Sequence, residues 1–519
     1  MTDLVAQLTQ ALGADHVLAD DASRAFYAND VFWQPGILPA AIVRPDTVEQ
    51  VQQAVRLATA AGHAVVPRGG GMSYTKGYLP PHDRSVVVDT RGLDRVTAVR
   101  PDDMYVTAEA GCSWASVNAA VEGSGLRTGY WGPLSGLNAT VGGALSQNSA
   151  FFGSGLNGTV ADSVLGVSVV LADGRLVTTG SGGRREAQPF TRYGGPDLTG
   201  MFLGDNGAFG IKVGATLRLH RRPAEAGFLS FGFTGLDRMA AAQVEMARLE
   251  VIAESFGIDR AKADHSASVN KLMDGAKALV DVARAGKSTL AGIKDALGVA
   301  AAGTAFLKAH AYTLHIVTEG HTQAELDWNM AALRRIGTAH GVEIENTVPK
   351  VMRSKPFGPV RGMLGADGER WVPIHAVFPL SRAAAAVAAH QTYFAGQAEM
   401  MRRHGIVLSQ MTMTVGNEFF LEPAFYWRDE ITPLHAAALG DDVVRPWRDR
   451  PADPAARQAV VELRRGTQDL YASLGGASWQ VAHDYPYADV LKPETWALAQ
   501  ALKQAVDPRG LMNPGSLGL

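Results

Sequence analysis

The chain has 519 residues, 46% hydrophobic and 19% charged, enough to bury a large core and too many for one typical domain, so two domains are expected. A formal net charge of −3 supplies no broad basic field, which argues against nucleic acid or an anionic membrane as the main partner. The single cysteine, Cys112, excludes an intrachain disulfide, a thiolate zinc cluster and an iron–sulfur site, and between Gly111 and Ser113 it reads as packing.

Leu4, Val5, Leu8 and Leu12 recur at helical spacing. The N-terminal residues lack a basic region followed by an apolar core, and no apolar run is long enough to span a bilayer, so the expectation is a cytoplasmic protein without membrane attachment. Asp20 to Ser23 reads as a cap before a second short helix. Ala41 to Val43 predicts a strand, Thr47 to Gly62 a helix, and Ala64 to Val66 a strand that runs into Pro67, Arg68, Gly69, Gly70, Gly71, Met72, Ser73 and Tyr74. Three glycines in a row suit a backbone that must approach a ligand closely. On this loop alone, an ordinary glycine-rich turn and a donor nest for a phosphate are equally consistent.

Short strands are predicted at Val86–Asp89, Val96–Val99 and Tyr105–Ala110, and a helix from Trp114 to Gly123. A second glycine-bearing stretch runs from Tyr130 through Pro133, Leu134, Ser135 and Gly136 to Thr140, Val141, Gly142, Gly143 and Ser146. Val164 to Leu171 and Leu176 to Thr178 form a hairpin across Asp173 and Gly174. A third glycine turn, Gly204 to Ile211 with Gly207 and Gly210, leads into a strand, and Pro223 marks a boundary. Beyond it come strands at Phe228–Phe233, Tyr312–Val317, Val372–Phe378, Ile406–Val415 and Glu418–Tyr426, with helices at Leu236–Leu249, Gln323–His340 and Ser381–His404. Two strand–helix–strand halves of this kind predict an antiparallel sheet covered on one face by helices, and Phe256 to Gly303 is expected to be a helical elaboration. A helix from Pro493 to Val506 precedes a proline-locked turn that contains Asn513. Two motif matches fail on context. Gly153 to Gly158 fits G-x-G-x-x-G but follows no strand, and Gly286-Lys287-Ser288 lacks the required glycine at Asp281.

Taken together, the loops resemble one family: the flavoproteins related to vanillyl-alcohol oxidase and para-cresol methylhydroxylase, which also includes D-lactate, glycolate and D-2-hydroxyglutarate dehydrogenases. Pro67 to Ser73 is similar to its P-x-G-G-G-T-S loop, Thr140 to Gly143 to T-V-G-G, Asp162 to Gly174 to D-x-V-L-G-x-x-V-V-L-x-D-G, Gly204 to Ile211 to G-S-E-G-T-L-G-I, and Asp507 to Gly515 to D-P-x-G-I-L-N-P-G. The resemblance implies an α+β protein: a two-part FAD-binding domain over 1–222, a substrate or cap domain over 223–488, and a segment, 489–519, that returns to the FAD domain. It implies FAD held by the three loops together with Val164 and Asn513, and oxidation of an alcohol, hydroxy acid or benzylic carbon of a small-molecule substrate by hydride transfer. A non-catalytic flavin-holding protein is the alternative, and a homodimer is left open.

The departures bear on attachment and substrate. Met72 stands where members that link FAD through this loop carry histidine, so the cofactor is expected to be non-covalent from that side. Ser478 to His483 replaces a Tyr-Arg pair that holds phenolates, and a neutral Gln480 does not do the work of a bidentate cation. Candidate catalytic residues are His375 and His483 as proton acceptors, Glu418 and Glu422 on a strand expected to line the substrate, and Tyr130 and Trp479 as apolar walls. These histidines and glutamates are also metal-ligand types, but their spacing gives no ligand set and no metal is assigned.

Overall fold

The computed structural model describes residues 2–265, 309–358 and 363–519. The larger part of the expected elaboration, from 266 onward, and Gly286-Lys287-Ser288 therefore lie outside the described residues. The chain divides into two compact units, one of 1–150, 159–222 and 479–519, the other of 151–158 and 223–478. The first unit thus regains the chain at Trp479, ahead of the expected 489, and the second takes an eight-residue excursion that the sequence did not announce.

In the first unit, Val17–Leu18 (β1), Ala41–Val43 (β2), Ala64–Arg68 (β3) and Ser85–Asp89 (β4) form a sheet in the order β1-β2-β4-β3, with β2, β4 and β3 parallel. Its strands are apolar on both faces, as a covered parallel sheet requires. Ala41, Val43, Val65 and Val86 pack with Leu4 and Leu8 of the helix Thr2–Leu12 and Val51 and Val55 of the helix Val48–Ala60, while Ile42, Val66 and Val87 meet Tyr27, Tyr78 and Leu79. The helix 48–60 starts where predicted because Thr47 accepts the Gln50 N–H and Gln50 answers in a capping box.

Val96–Arg100 (β5), Tyr105–Glu109 (β6), Leu126–Thr128 (β7), Val164–Val170 (β8), Leu176–Thr178 (β9) and Ile211–Arg221 (β10) make a second, antiparallel sheet ordered β5-β6-β10-β8-β9, with β7 also on β10. Cys112 is fully buried and its thiol is pushed up to about 12 by desolvation, which leaves it inert.

The second unit is built on one antiparallel sheet: Glu225–Phe233 (β11), Ile252–Asp259 (β12), Tyr312–Gly320 (β13), Val342–Ile344 (β14), Arg370–Pro373 (β15), Ala376–Pro379 (β16), Val407–Val415 (β17) and Glu418–Trp427 (β18), ordered β14-β11-β13-β12-β17-β18-β15 with β16 also on β18. The helices Leu236–Ala247, Gln323–His340 and Ala383–Gly396 cover one face, where Phe231, Leu314, Ile316, Phe419 and Leu421 meet Leu236, Met239, Leu333, Ile336 and Val387.

Three expectations change. Phe256–Asp259, placed in a helical elaboration, belongs to β12, whose alternating apolar positions were hidden by the Ala/Lys-rich sequence after it. The strand expected over 372–378 is two strands, because Pro373 cannot donate to a ladder and the pairing to β18 resumes only at Ala376. The helix expected over 381–404 ends at Gly396 and restarts at Ala398. A long helix, Pro454–Ser473, entered by Pro454 and capped by Asp453, was not anticipated.

The C-terminal segment closes the first unit. Val65 N–H donates to Leu511 O (2.8 Å) and Asn513 N–H to Val65 O (2.9 Å), so the tail extends the edge at β3. Lys503 donates to the carbonyls of Ala208 and Met512, 2.7 Å each, and pairs with Asp507 at 2.8 Å. Asp507 in turn accepts the N–H groups of Leu511 (3.0 Å) and Met512 (2.8 Å). Replacing one partner of such a buried pair strands the other's charge, so Lys503→Met is expected to destabilise the first unit by about 3 kcal/mol. A lowered urea midpoint checks this; an unchanged one would show that the tie carries no stability.

Candidate functional site

β3 ends in the glycine loop at the carboxyl edge of a parallel sheet, where α/β folds place their ligands. The loop's carbonyls are tied down: Tyr78 Oη donates to Gly71 O (2.8 Å) and Ser73 O (3.0 Å), and Val31 N–H to Ser73 O (3.2 Å). The N–H groups of Gly70, Gly71, Met72 and Ser73 donate to no acceptor among the described residues. Gly71 is buried and the other three are half-buried, and several such donors together on one loop make a nest for an anion.

The glycines are required by approach. A Cβ on Gly70 would overlap the carbonyl of Asn138, one on Gly69 would overlap Thr140 Oγ1, and Gly71, at φ 70°, lies against the Arg68 guanidinium. Arg68 is 3% exposed and stands over the rings of Tyr27 (4.5 Å), Phe26 (5.2 Å) and Tyr78 (5.3 Å). Its Nε and Nη1 have no hydrogen-bond partner among the described residues, so a buried cation with unspent donors stands beside unspent N–H groups. Desolvating an arginine this way is costly unless an anion answers it.

The second stretch supplies the opposing wall. Thr140 accepts the Gly143 N–H (3.2 Å) and caps the short helix Val141–Gln147, and a Cβ on Gly142 would press on Ala110. Pro133 to Gly136 forms a turn closed by Gly136 N–H to Pro133 O (2.9 Å), with Leu134 exposed at its tip. Ser146 O accepts the Asn206 N–H (3.0 Å), joining this helix to the third loop. In that loop Asn206 adopts φ 50° and donates through Nδ2 to Gly77 O (3.0 Å) and Ser516 Oγ (3.1 Å), while Gln147 Nε2 donates to its Oδ1. Asn513 Nδ2 reaches Gly77 O (2.9 Å) and Asn206 O (2.7 Å). Gly207 packs on Pro67, Gly210 on Val169, and Ile211 and Val164 lie in β10 and β8. The structure therefore gathers the three predicted loops and Asn513 within the first unit. Asn206 lies inside the third motif, whereas Gln147 and Lys503, which also bind the loops together, carried no motif signal.

The predicted catalytic residues divide between the units. Tyr130 is fully buried in the first unit, edge-on to Trp114 at 4.8 Å. Trp479 is 9% exposed there, and His483 Nε2 bonds Pro514 O at 3.0 Å, holding the C-terminal turn. Burial keeps the His483 ring below its ordinary pKa.

In the second unit, register places Glu418, Phe420, Glu422 and Tyr426 of β18 on the sheet face opposite the helices, together with Met411, Met413, Phe256, Ile258 and Trp371. His375, between β15 and β16, joins this face by stacking on Phe420 at 5.1 Å. Glu422 is 7% exposed, and its carboxyl is raised to about 7 by burial, opposed by Lys262. Asp259, also buried, is raised to about 7 by desolvation. His315 is held at both nitrogens, by Ser230 Oγ (2.9 Å) and Thr313 Oγ1 (3.1 Å), and burial lowers it to about 3, so it stays neutral. Lys262, Asp259 and His315 escaped the sequence reading, the first two because β12 and the helix after it were taken for an elaboration. Among the described residues no group of three His, Cys, Asp or Glu side chains is arranged to hold a metal, and no helix is long and apolar enough to cross a membrane.

Comparison with known proteins identifies the ligand of the first unit. Residues 39–180 match the FAD binding domain and 485–517 the C-terminal domain of FAD linked oxidases. The chain is 26% identical over 223 residues to a glycolate oxidase subunit of Bacillus subtilis, covering 43% of this chain and 45% of that protein. It is 30% identical over 224 residues to the mitochondrial D-lactate dehydrogenase (cytochrome) of Arabidopsis thaliana, covering 43% and 37%. The chain thus spans less than half the length of these curated relatives. Among solved structures, p-cresol methylhydroxylase with substrate bound (TM-score 0.74, 16% identity, 100% of this chain and 96% of that one) and 4-ethylphenol oxidase from Gulosibacter chungangensis (TM-score 0.71, 16% identity, 100% and 97%) share the fold.

FAD fits the first unit's residues: Gly70 to Ser73 and Arg68 offer unspent donors of the kind a pyrophosphate needs, in a cradle that side chains would fill. Gly70→Val is expected to yield largely apo protein, read as a collapse of the 450 nm to 280 nm absorbance ratio, whereas Gly123→Ala, with open space around it, keeps full occupancy. Equal occupancy in both would show that the loop is only a turn.

Proposed function

We propose, for a chain that belongs to the FAD-linked oxidoreductases of the vanillyl-alcohol oxidase and p-cresol methylhydroxylase family, that it oxidises a small molecule at a carbon bearing a hydroxyl or at a benzylic carbon, by hydride transfer to FAD. The observation that carries this reading is the loop of unspent backbone donors beside the unpaired Arg68, matched in the second unit by a sheet face that bears buried ionisable side chains. The names of the relatives support the two substrate types: glycolate oxidase and D-lactate dehydrogenase for CH–OH, p-cresol methylhydroxylase and 4-ethylphenol oxidase for benzylic carbon.

When bound, FAD supplies the hydride acceptor. The chain's own part is to hold the cofactor by the three loops, keep water from the substrate, and accept the substrate's proton. His375 is the residue we assign to that last role. It lies on the polar face of the second unit, its orientation is fixed by stacking on Phe420, and Ser478 Oγ donates to its main-chain carbonyl at 3.4 Å. A general base placed in this way contributes on the order of 10²–10⁴ in rate. His483 serves as a tie for the C-terminal turn in this reading, and Glu418 and Glu422 shape the site's charge.

Anaerobic stopped-flow reduction of the flavin by alcohol, hydroxy-acid and alkylphenol substrates tests the proposal. At least one class is expected to bleach the flavin, and His375→Gln is expected to slow that bleaching roughly 10²-fold or more with FAD retained. An unreduced flavin across all classes returns the chain to the non-catalytic alternative. A parent-like rate in His375→Gln removes the histidine from the reaction. Acid precipitation completes the test: FAD is expected in the supernatant because Met72 offers no histidyl link, and flavin left on the polypeptide would reveal attachment from another residue.

A further inference from the structure

After β12, the helix Arg260–His265 turns back over the polar face of the sheet and packs on β12 and β17. Asp259 starts this turn, accepting the Lys262 N–H at 2.7 Å. The Lys262 side chain then crosses to Trp371, with Nζ 5.1 Å from the ring centroid. Among the described residues its ammonium makes no hydrogen bond and no ion pair, although it feels the charges of Glu422 and Asp259, and burial lowers its pKa. Glu422, more than nine-tenths buried, likewise accepts no hydrogen bond among the described residues. A half-buried cation and a buried carboxyl thus feel one another's charge, and neither makes a hydrogen bond or ion pair among the described residues. Such an arrangement is costly unless a ligand completes it.

We propose that Lys262 and Glu422 form a subsite for the carboxylate of an aromatic or apolar ligand, which binds together with one proton. The inference rests on the reading of the second unit as the substrate-holding part. The ligand's carboxylate pairs with the Lys262 ammonium, and its negative charge drives Glu422 to its neutral acid form, whose O–H then donates to the ligand's second oxygen. Trp371 and Tyr426 supply flat apolar surface for the rest of the ligand. The other charged groups around the cluster are committed elsewhere. On the helix, His265 Nδ1 meets Glu369 at 3.2 Å and exposed Arg260 pairs with Asp264 at 3.8 Å. On β12, Asp259 is engaged by the Lys262 N–H and the Gln410 backbone. On β15, Arg370 stands over Trp427 on the opposite face. β17 carries no charged side chain.

The sign of the pH dependence follows from Glu422, whose free carboxyl sits at about 7. Below that pH it is already protonated and the ligand binds at full strength; above it the proton must be recruited, and affinity falls by up to about tenfold per pH unit. The test is titration calorimetry of the FAD-loaded protein with benzoate at pH 6 and pH 8.5, in buffers of different ionisation heat. Benzoate is expected to bind roughly tenfold or more tightly at pH 6, with proton uptake near neutral pH, and benzamidine, which carries a cation on the same ring, to bind more weakly. Lys262→Met is expected to weaken benzoate binding roughly tenfold. Glu422→Gln is expected to keep binding and lose both the pH dependence and the proton uptake. Parent-like affinity in Lys262→Met, pH-independent binding by the parent, or a preference for benzamidine overturns the proposal; if Lys262→Met fails to fold, the Glu422→Gln profile decides. Because binding is read without turnover, absent benzoate binding with normal flavin reduction rejects the subsite alone. Benzoate binding with an irreducible flavin rejects the function proposed above and leaves the subsite standing.

Discussion

The first unit depends on one close approach, the backbone of Gly69 and Gly70 lying directly on the backbone and Thr140 side chain of the stretch Asn138–Gly143. No residue with a Cβ can take part in it. Once the contact is made, the loop's carbonyls are taken up by Tyr78 and Val31, and its N–H groups are left without acceptors among the described residues. Anion affinity here is a by-product of packing: the same geometry that brings two chain segments together leaves the donors unspent.

The second unit solves a different problem. An antiparallel sheet can give one face to helices and keep the other for chemistry, and here alternation along β18 does the sorting, with Phe419 and Leu421 on the helix side and Phe420 and Glu422 on the other. A single-residue register slip would send the ionisable side chains into the hydrocarbon core. The nine-residue pairing of β17 with β18 and the mainly apolar helix face, where Thr412 donates to Gln243 at 2.7 Å, hold that register against slippage.

Much of this could be read in advance because glycine, proline and strict alternation report backbone constraints directly. The loops at Pro67–Tyr74, Thr140–Gly143 and Gly204–Ile211 announce themselves by residues that only special backbone geometry favours. Lys262 and Asp259 gave no such warning. They sit at a strand–helix junction whose neighbours are compositionally helical, and a charged residue on a helix is by default a solvated one. Nor did Gln147 and Lys503 stand out, since an amide or ammonium that satisfies distant acceptors has no local pattern. The helix Pro454–Ser473 has ordinary start signals in Asp453 and Pro454, but charged residues dilute its apolar stripe.

The edge of β3 is completed by residues from the far end of the chain, Leu511 and Asn513 on either side of Val65. During synthesis that strand is made long before its neighbour. Until residues 511–513 emerge, the nascent protein therefore carries an apolar strand edge open to other chains, a recognised route to aggregation. Residues 511–513 must leave the ribosome before the cofactor loop that hangs from this strand is fixed at its base, so cofactor loading waits on their synthesis. The long separation between partners also makes this the slowest kind of contact for a chain to find.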